Sequence, residues 1–417
     1  MSRKEEYIYV GIDLHKEIHV AVILNCWNDK LGEITIENKP SEFHKLTSKV
    51  EKYCKDGKEA VYGLENAYGY GRTLAVWLIE KGFIVKDVNT ALSYAQRKSV
   101  PMYQKSDSYD AEAVALVVIN KLDTLPDAIP DDAYWTLSQL VHRKDNIKKH
   151  QTRLKNQLHE QICVTYPSYK KYFSDISRQT ALYFWSQYPS PEYLIGKDSE
   201  ELTKELRLAS HNRCSTRTAN LILDTVKSDG DTVRNYQSSR DAITKSLVSD
   251  LKHYNVQLKE VEKAIEELYP VFECTLMTVP GIDIATATNM LSKIGDINRF
   301  SNSDKLARFA GVAPVKFSSA GKGEDHASRQ GNKRLQSIFY FLAIQMVQVY
   351  VNGKPRNVLF REYFLRRTQN GKNKQQVLIC IARRLVNIVY GMLKNKTEYI
   401  DPSRLLSNGI DMPTKNQ

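Results

Sequence analysis

Tyr7-Ile-Tyr-Val-Gly-Ile-Asp13 runs apolar up to a single acid, turns through Leu14-His-Lys-Glu17, and resumes as Ile18-His-Val-Ala-Val-Ile-Leu24. Two β-rich apolar runs around a short polar turn predict a hairpin. Outward from it, Glu33 to Glu37 alternates as a third strand. Ser41 to Lys55 reads as a helix capped by Ser41. Ala60 to Leu64 is a short buried strand, Arg72 to Lys81 an amphipathic helix stopped by Gly82, and Phe83 to Val88 a further strand. Asp107 to Lys121 is a helix with apolar residues at 111, 114, 115, 118 and 119. Three antiparallel strands, then strands alternating with helices, predict an α/β, ribonuclease-H-like fold over residues 1–125.

Residues 126–270 read as helical. Leu137, Leu140, Ile147, Leu154, Leu158 and Ile162 form a ragged heptad stripe. Leu247, Leu251, Tyr254, Leu258, Val261, Ile265 and Leu268 alternate steps of four and three, the spacing of a coiled-coil seam. The two stripes suit either an antiparallel hairpin within one chain or the pairing of protomers, and a homo-oligomer is expected. Residues 271–400 form a mainly α domain. Thr278-Val-Pro-Gly-Ile282 is a turn before a helix from Ala285 to Ile294 closed by Gly295, which resembles a helix-hairpin-helix element. A second short helix over Asp304 to Gly311, a loop Ser318-Ser-Ala-Gly-Lys-Gly323, and helices over Lys333 to Val351 and Gln375 to Leu393 follow. Residues 401–417 read as a loosely ordered tail.

Charge separates these regions. Of 60 Lys and Arg against 48 Asp and Glu, residues 271–417 hold 22 against 10, whereas 1–125 hold 17 against 18 and 126–270 hold 21 against 20. The whole excess of +12 therefore sits in the last third. Lys and Arg concentrated in this way bind polyanions by releasing counterions condensed on phosphate, so nucleic acid is the expected partner. No run of 18 apolar residues and no apolar leader core occurs, so no membrane partner is expected and the protein is expected in the cytoplasm. Six cysteines at 26, 54, 163, 214, 274 and 380 form no CxxC and lie at no zinc-ligand spacing, which fits free thiols in a reducing compartment.

Four acids stand out by position. Asp13 and Glu65 end predicted strands, and Asp107 and Asp110 open a predicted helix on one face. Singly, such residues are turn formers and caps. Together, on converging element ends, they are oxygen donors of the kind a hard divalent cation requires. Two such cations ~4 Å apart serve phosphodiester chemistry by activating the attacking oxygen and stabilising the leaving one. His15, directly after this strand, reads as a surface turn residue rather than a phosphate or metal contact. In Ser318-Ser-Ala-Gly-Lys-Gly323 small residues allow close approach to phosphate and Lys322 adds charge, so a serine there suits a nucleophile as well as it suits a flexible linker. Arg329, Lys333 and Arg334 are candidate phosphate clamps.

The order of Tyr9-Val-Gly-Ile-Asp13, Gly63-Leu-Glu65-Asn, Lys105-Ser-Asp107-Ser-Tyr-Asp110-Ala, Val279-Pro-Gly-Ile, Phe309-Ala-Gly-Val-Ala-Pro314, Ser318-Ser319 and Arg329-Gln-Gly-Asn332 resembles the DEDD insertion-sequence transposases, relatives of the pilin-gene invertases and described as bridge-RNA-guided recombinases. The resemblance spans nearly the whole chain. It implies a RuvC-like domain over 1–125 whose metal ligands are Asp13, Glu65, Asp107 and Asp110, with Mg²⁺ as cofactor. It implies a coiled-coil oligomerisation region over 126–270, building dimers that pair into tetramers, and a transposase domain over 271–400. That last domain would carry a serine that joins covalently to DNA, Ser319 by the family loop with Ser318 in reserve. Ala320 stands where glycine is usual in the family. The implied partners are donor and target DNA and a non-coding guide RNA, at the bacterial nucleoid. The implied activity is cutting and rejoining of DNA by a mobile element's own recombinase. Two other readings use the same residues: a metal-dependent junction endonuclease without serine chemistry, and a non-catalytic nucleic-acid-binding relic.

Overall fold

The computed structural model describes residues 4–65, 67–99, 106–313, 315–319, 322–326 and 331–400, with 315–319 and 322–326 described by backbone only. The chain divides into two units. One joins residues 1–136 to 274–417; the other is Leu137–Glu273.

In the first unit β1 (Tyr7–Leu14), β2 (Ile18–Leu24) and β3 (Lys30–Glu37) form an antiparallel meander. After α1 (Pro40–Glu51), β4 (Glu59–Glu65) returns parallel to β1. After α2 (Arg72–Glu80), β5 (Ile84–Val88) adds parallel to β4, for an order β3-β2-β1-β4-β5. The polar turn 15–17 is too short for a crossover, so β1 and β2 can pair only antiparallel; the helical crossover before β4 permits the parallel return. Strand alternation then sorts the core. Ile8, Val10 and Ile12 face one layer with Phe43, Leu46, Leu74 and Leu78. Tyr9 and Val61 face the other, with Val114, Ala115 and Val118 of α4 (Asp107–Lys121). The mixed α/β N-terminal part thus follows the sequence reading closely. One local expectation is corrected: Ser41 does not cap α1. Lys39 occupies the cap position and Pro40 begins the helix, where its missing N–H would have no partner anyway. A helix not foreseen, α3 (Thr90–Arg97), packs beside α4, with the Asn89 side chain accepting from the Ala91 N–H.

The same unit contains the C-terminal helices. α10 (Ile284–Ile294) is capped by Asp283, α11 (Ser303–Phe309) by Asn302 and α12 (Lys333–Val347) by Asn332. α13 (Val358–Gln369) and α14 (Lys374–Asn395) complete it. α14 is long and apolar enough to cross a membrane by length and composition, but Val377, Ile381, Leu385 and Val389 are buried, and the helix packs on α11, α12 and α13 as a core element. Of residues 318–323, read from sequence as a loop, Ser318, Ser319, Lys322 and Gly323 carry strand pairing instead. β6 (Val315–Ser319) and β7 (Lys322–His326) are antiparallel, with Ser318 opposite Gly323 and Ser319 opposite Lys322. Glycine and serine signalled a turn, but the flanking Val315-Lys-Phe317 supplies the β-prone run that pairs.

The second unit holds most of α5 (Asp132–Thr165), then α6 (Gln179–Gln187), α7 (Ser199–Ala209), α8 (Thr216–Asp229) and α9 (Gln237–Leu268). Leu158 and Ile162 near the end of α5 share a core with Val248 and Leu251 in the first half of α9, and with the aromatic cluster Tyr166, Tyr172, Phe184 and Trp185. Farther from the α5 end, Arg143 donates to Gln257 at 2.8 Å, Gln151 to Asn255 at 2.8 Å, and the His150 and Tyr254 rings stack at 5.5 Å. The two helices therefore run antiparallel within one chain.

Candidate metal centre

Period-two alternation places Gly11 and Asp13 of β1, and Gly63 and Glu65 of β4, on the sheet face that α4 covers. The two glycines set the distance. A Cβ on Gly11 would overlap the Ala111 carbonyl oxygen and the Ala115 nitrogen; one on Gly63 would overlap the Val118 side chain. Any larger residue would lift the helix away. With glycine at both positions, the N-terminal turn of α4 comes down beside the C-terminal ends of β1 and β4. Ser106 caps that turn by accepting from the Tyr109 N–H at 3.2 Å. Asp107 and Asp110 lie in it, where the helix dipole favours negative charge.

The acids form two linked pairs. Asp13 and Asp107 join His15 in a set whose ligand atoms all lie within 4.8 Å of one another. His15 Nε2 is 3.0 Å from Asp13 Oδ2 and 3.5 Å from Asp107 Oδ1. Glu65 and Asp110 lie outside this set and share Arg97, the last residue of α3. Its Nη1 is 3.5 Å from Glu65 Oε2, and its Nε is 3.5 Å from Asp110 Oδ1. The buried Ser93 hydroxyl, also on α3, donates to Glu65 Oε2. The pairs feel each other: burial pushes the Asp13 carboxyl above its ordinary value, His15 pulls it back, and the charges of Asp110 and Asp107 raise it again.

This donor set suits a divalent cation. Among the described residues Asp13 Oδ2 and Asp110 Oδ1 are buried oxygens without a well-formed hydrogen bond, despite the nitrogen close to each. Buried carboxylate oxygens left in that state are costly unless a cation completes them. An imidazole beside two carboxylates fits Mn²⁺ or Mg²⁺ with oxygen donors in the majority. His15, a surface turn residue by sequence, is exposed and has its ring against the carboxylate set. Arg97 and Ser93 have no role legible in sequence, because α3 is only faintly signalled. The Asn89-Thr-Ala cap and the amphipathic run after it were the available signal.

The serine-bearing hairpin rises from a clamped base. The Asn332 N–H donates to the Phe309 carbonyl at 2.7 Å, and the Gln336 side chain donates to the Gly311 carbonyl at 2.7 Å. Gly331, at φ +101°, sits so close to the Gly311 backbone that a Cβ on it would overlap that backbone. The segments 309–313 and 331–336, which flank the strand pair in sequence, are thus bonded to each other. Ser318, Ser319 and Lys322 lie on its strands. Arg329, Ala320 and the tail 401–417 lie outside the described residues. Lys333 and Arg334 open α12. Lys333 donates to Gln336 at 3.3 Å, and Arg334 donates to Asn289 of α10 at 3.3 Å.

Residues 10–167 match a transposase family designated DEDD_Tnp_IS110, and residues 274–358 match the family described as Transposase IS116/IS110/IS902. Relatives include the insertion element IS116 uncharacterized 44.8 kDa protein of Streptomyces clavuligerus, 23% identical over 95% of this chain and 97% of that protein. The insertion element IS110 uncharacterized 43.6 kDa protein of Streptomyces coelicolor is 25% identical over 76% of this chain and 79% of its own length. The pilin gene-inverting protein of Moraxella bovis is 26% identical over 40% of this chain and 52% of its own length. The first match contains Asp13, Glu65, Asp107 and Asp110, the second contains the hairpin, and together they span more than half of the chain, which belongs to the IS110/IS116 family of insertion-element transposases.

Proposed function

We propose that this chain is the DNA recombinase of a mobile insertion element, one that cuts and rejoins DNA with a carboxylate-held divalent cation and a serine nucleophile. The observation that carries this reading is the approach of α4 to β1 and β4 across Gly11 and Gly63, which gathers four acids from three elements. The strand order β3-β2-β1-β4-β5, antiparallel then parallel, supports a ribonuclease-H-like, RuvC-type scaffold. Asp13, Glu65, Asp107 and Asp110 would hold the cation, Mg²⁺ in the cell, in one or two positions. A cation held there supplies charge neutralisation at the scissile phosphate and polarises its oxygens.

The chain's own groups would do the rest. The Ser319 hydroxyl, with Ser318 in reserve, would attack phosphorus in line with the leaving oxygen. A Ser–O–P ester forms, one P–O bond of the DNA breaks, and the released DNA hydroxyl takes up a proton as the serine gives one up. Because one ester replaces another, the bond remains available for rejoining. The net +12 of residues 271–417 supports backbone binding of donor and target DNA, with Lys322, Arg329, Lys333 and Arg334 as phosphate contacts. A structured RNA from the element would choose sequences by base pairing, which leaves the protein to read backbone and shape. The half-buried faces of Tyr254, Leu258 and Val261 on α9 support pairing of protomers as dimers or tetramers.

The test is to combine purified protein, element-end DNA, RNA transcribed from the element's flanks, and Mg²⁺, then seek a protein–DNA adduct under denaturing conditions. An adduct lost in Ser319→Ala supports the reading. Cleavage with free ends and no adduct supports the metal-dependent endonuclease instead. Retention of full recombination by both Ser319→Ala and Ser318→Ala refutes serine chemistry.

A further inference from the structure

We infer that Arg97 is a built-in counter-cation that neutralises Glu65 and Asp110 until a divalent cation takes them over, and that its guanidinium is then free for a DNA phosphate. The inference rests on the metal-site reading above and assigns a competitor to that site.

Three observations carry it. First, the guanidinium is spread between two acids on different elements, at 3.5 Å from each. An arginine serving as a permanent strut makes parallel, bidentate contacts to one carboxylate at about 2.7–2.9 Å. Here Asp110 Oδ1 accepts no hydrogen bond although Arg97 is its neighbour. The contact is long and electrostatic rather than a well-formed hydrogen bond. Second, the three side chains are only 15 to 17% exposed, so two carboxylates would be left largely desolvated if the arginine were absent and no metal present. Third, the backbone of Arg97 is fixed independently of its charge, because the Tyr109 hydroxyl donates to the Arg97 carbonyl at 2.9 Å. The side chain can therefore move without dismantling α3. His15 stands in the corresponding place over Asp13 and Asp107, so each acid pair is covered by one nitrogenous side chain. Arginine is never deprotonated in a protein, and its planar donor fork suits phosphate oxygens, so displacement delivers a full positive charge beside the reacting phosphate.

The competition is measurable without DNA or turnover. Mn²⁺ binding to the full chain would be followed by titration calorimetry, and melting temperature with and without EDTA would be recorded, for wild type, R97Q, R97K and D13N. A charge this close to an acid shifts its affinity for a cation by roughly tenfold or more. R97Q is accordingly expected to bind Mn²⁺ roughly tenfold tighter than wild type, to melt lower in EDTA, and to regain that loss when Mn²⁺ is added. R97K keeps the charge, but a point charge cannot span both acids, so several-fold tighter binding is expected; this variant carries the test if R97Q does not fold. Unchanged or weaker Mn²⁺ binding in R97Q and R97K, with binding still lost in D13N, overturns the role of Arg97 and leaves the metal site standing. Equal Mn²⁺ binding by wild type and D13N overturns both.

Discussion

Gly11 of β1 lies directly beneath Ala111 of α4, with no room between them for a single methyl group. Everything at the acid cluster follows from that closeness, since Asp13 is two residues along the same strand face and Asp107 and Asp110 are within one turn of Ala111. Backbone atoms block the site, and backbone cannot rotate away as a side chain can. Gly11→Ala is therefore expected to cost about 1–3 kcal/mol of stability by overpacking, read from urea melts. It should also weaken Mn²⁺ binding by displacing the α4 terminus. A variant with wild-type stability and wild-type metal binding would show that the spacing is slack.

Ser93 is a second support. Its hydroxyl is buried and shares its one proton between Glu65 Oε2 and the Thr90 carbonyl, 3.1 Å away. Groups that orient metal ligands from behind commonly carry roughly 10–100-fold in metal affinity. Ser93→Ala should lose metal affinity on that scale while retaining its circular dichroism spectrum. Affinity within twofold of wild type would remove Ser93 from the account.

Arg299 gives a pH-dependent prediction. Its guanidinium lies over the rings of Tyr68, Phe300 and Phe309, and it counteracts the upward push of burial on the Asp87 carboxyl, which nevertheless stays above its ordinary value. A raised carboxyl contributes stability that is fully present below the usual aspartate range and is lost as pH rises through its folded-state value. Arg299→Met should push Asp87 higher still. Its destabilisation should thus be larger at pH 7 than at pH 4, and Asp87→Asn in the same chain should abolish that difference. Equal destabilisation at both pH values would mean that the arginine acts through packing alone.

The hairpin divides the two serines by register. Ser319 pairs opposite Lys322, and Ser318 opposite Gly323, one position farther along the strand. Ser319→Ala should eliminate the DNA adduct and Ser318→Ala should retain at least part of it. The reverse pattern moves the nucleophile by one residue without touching the acid cluster.

The sequence exposed most of this arrangement where apolar period and chemistry agreed. Tyr7 to Leu24 could form little else than a hairpin, and Asp107 to Lys121 announces itself by its cap, its acids and its apolar stripe. The failures have local causes. α3 spans two turns with only Ser93 fully buried, so its apolar signal is faint, yet it delivers both Ser93 and Arg97. Ser41 looked like a cap because its residue type suits that role, while Pro40 one position earlier fixes the true start. The Ser-Ser-Ala-Gly-Lys-Gly stretch has the composition of a loop, yet Ser318, Ser319, Lys322 and Gly323 pair in an antiparallel ribbon whose flanking segments 309–313 and 331–336 are bonded to each other. No periodicity reveals those bonds. His15 is the exposed turn residue the sequence suggests, but its neighbour Asp107 is far away in sequence and adjacent only once α4 has settled on two glycines.

The central claim is that Asp13, Glu65, Asp107 and Asp110 together hold a divalent cation. The most direct measurement is an anomalous-scattering map from crystals of the full chain equilibrated with Mn²⁺. Density for one or two ions is expected within coordination distance of these four carboxylates, with Arg97 withdrawn from Glu65 and Asp110. Bound Mn²⁺ that touches none of them, or a map with no ion beside Asp13, would contradict it.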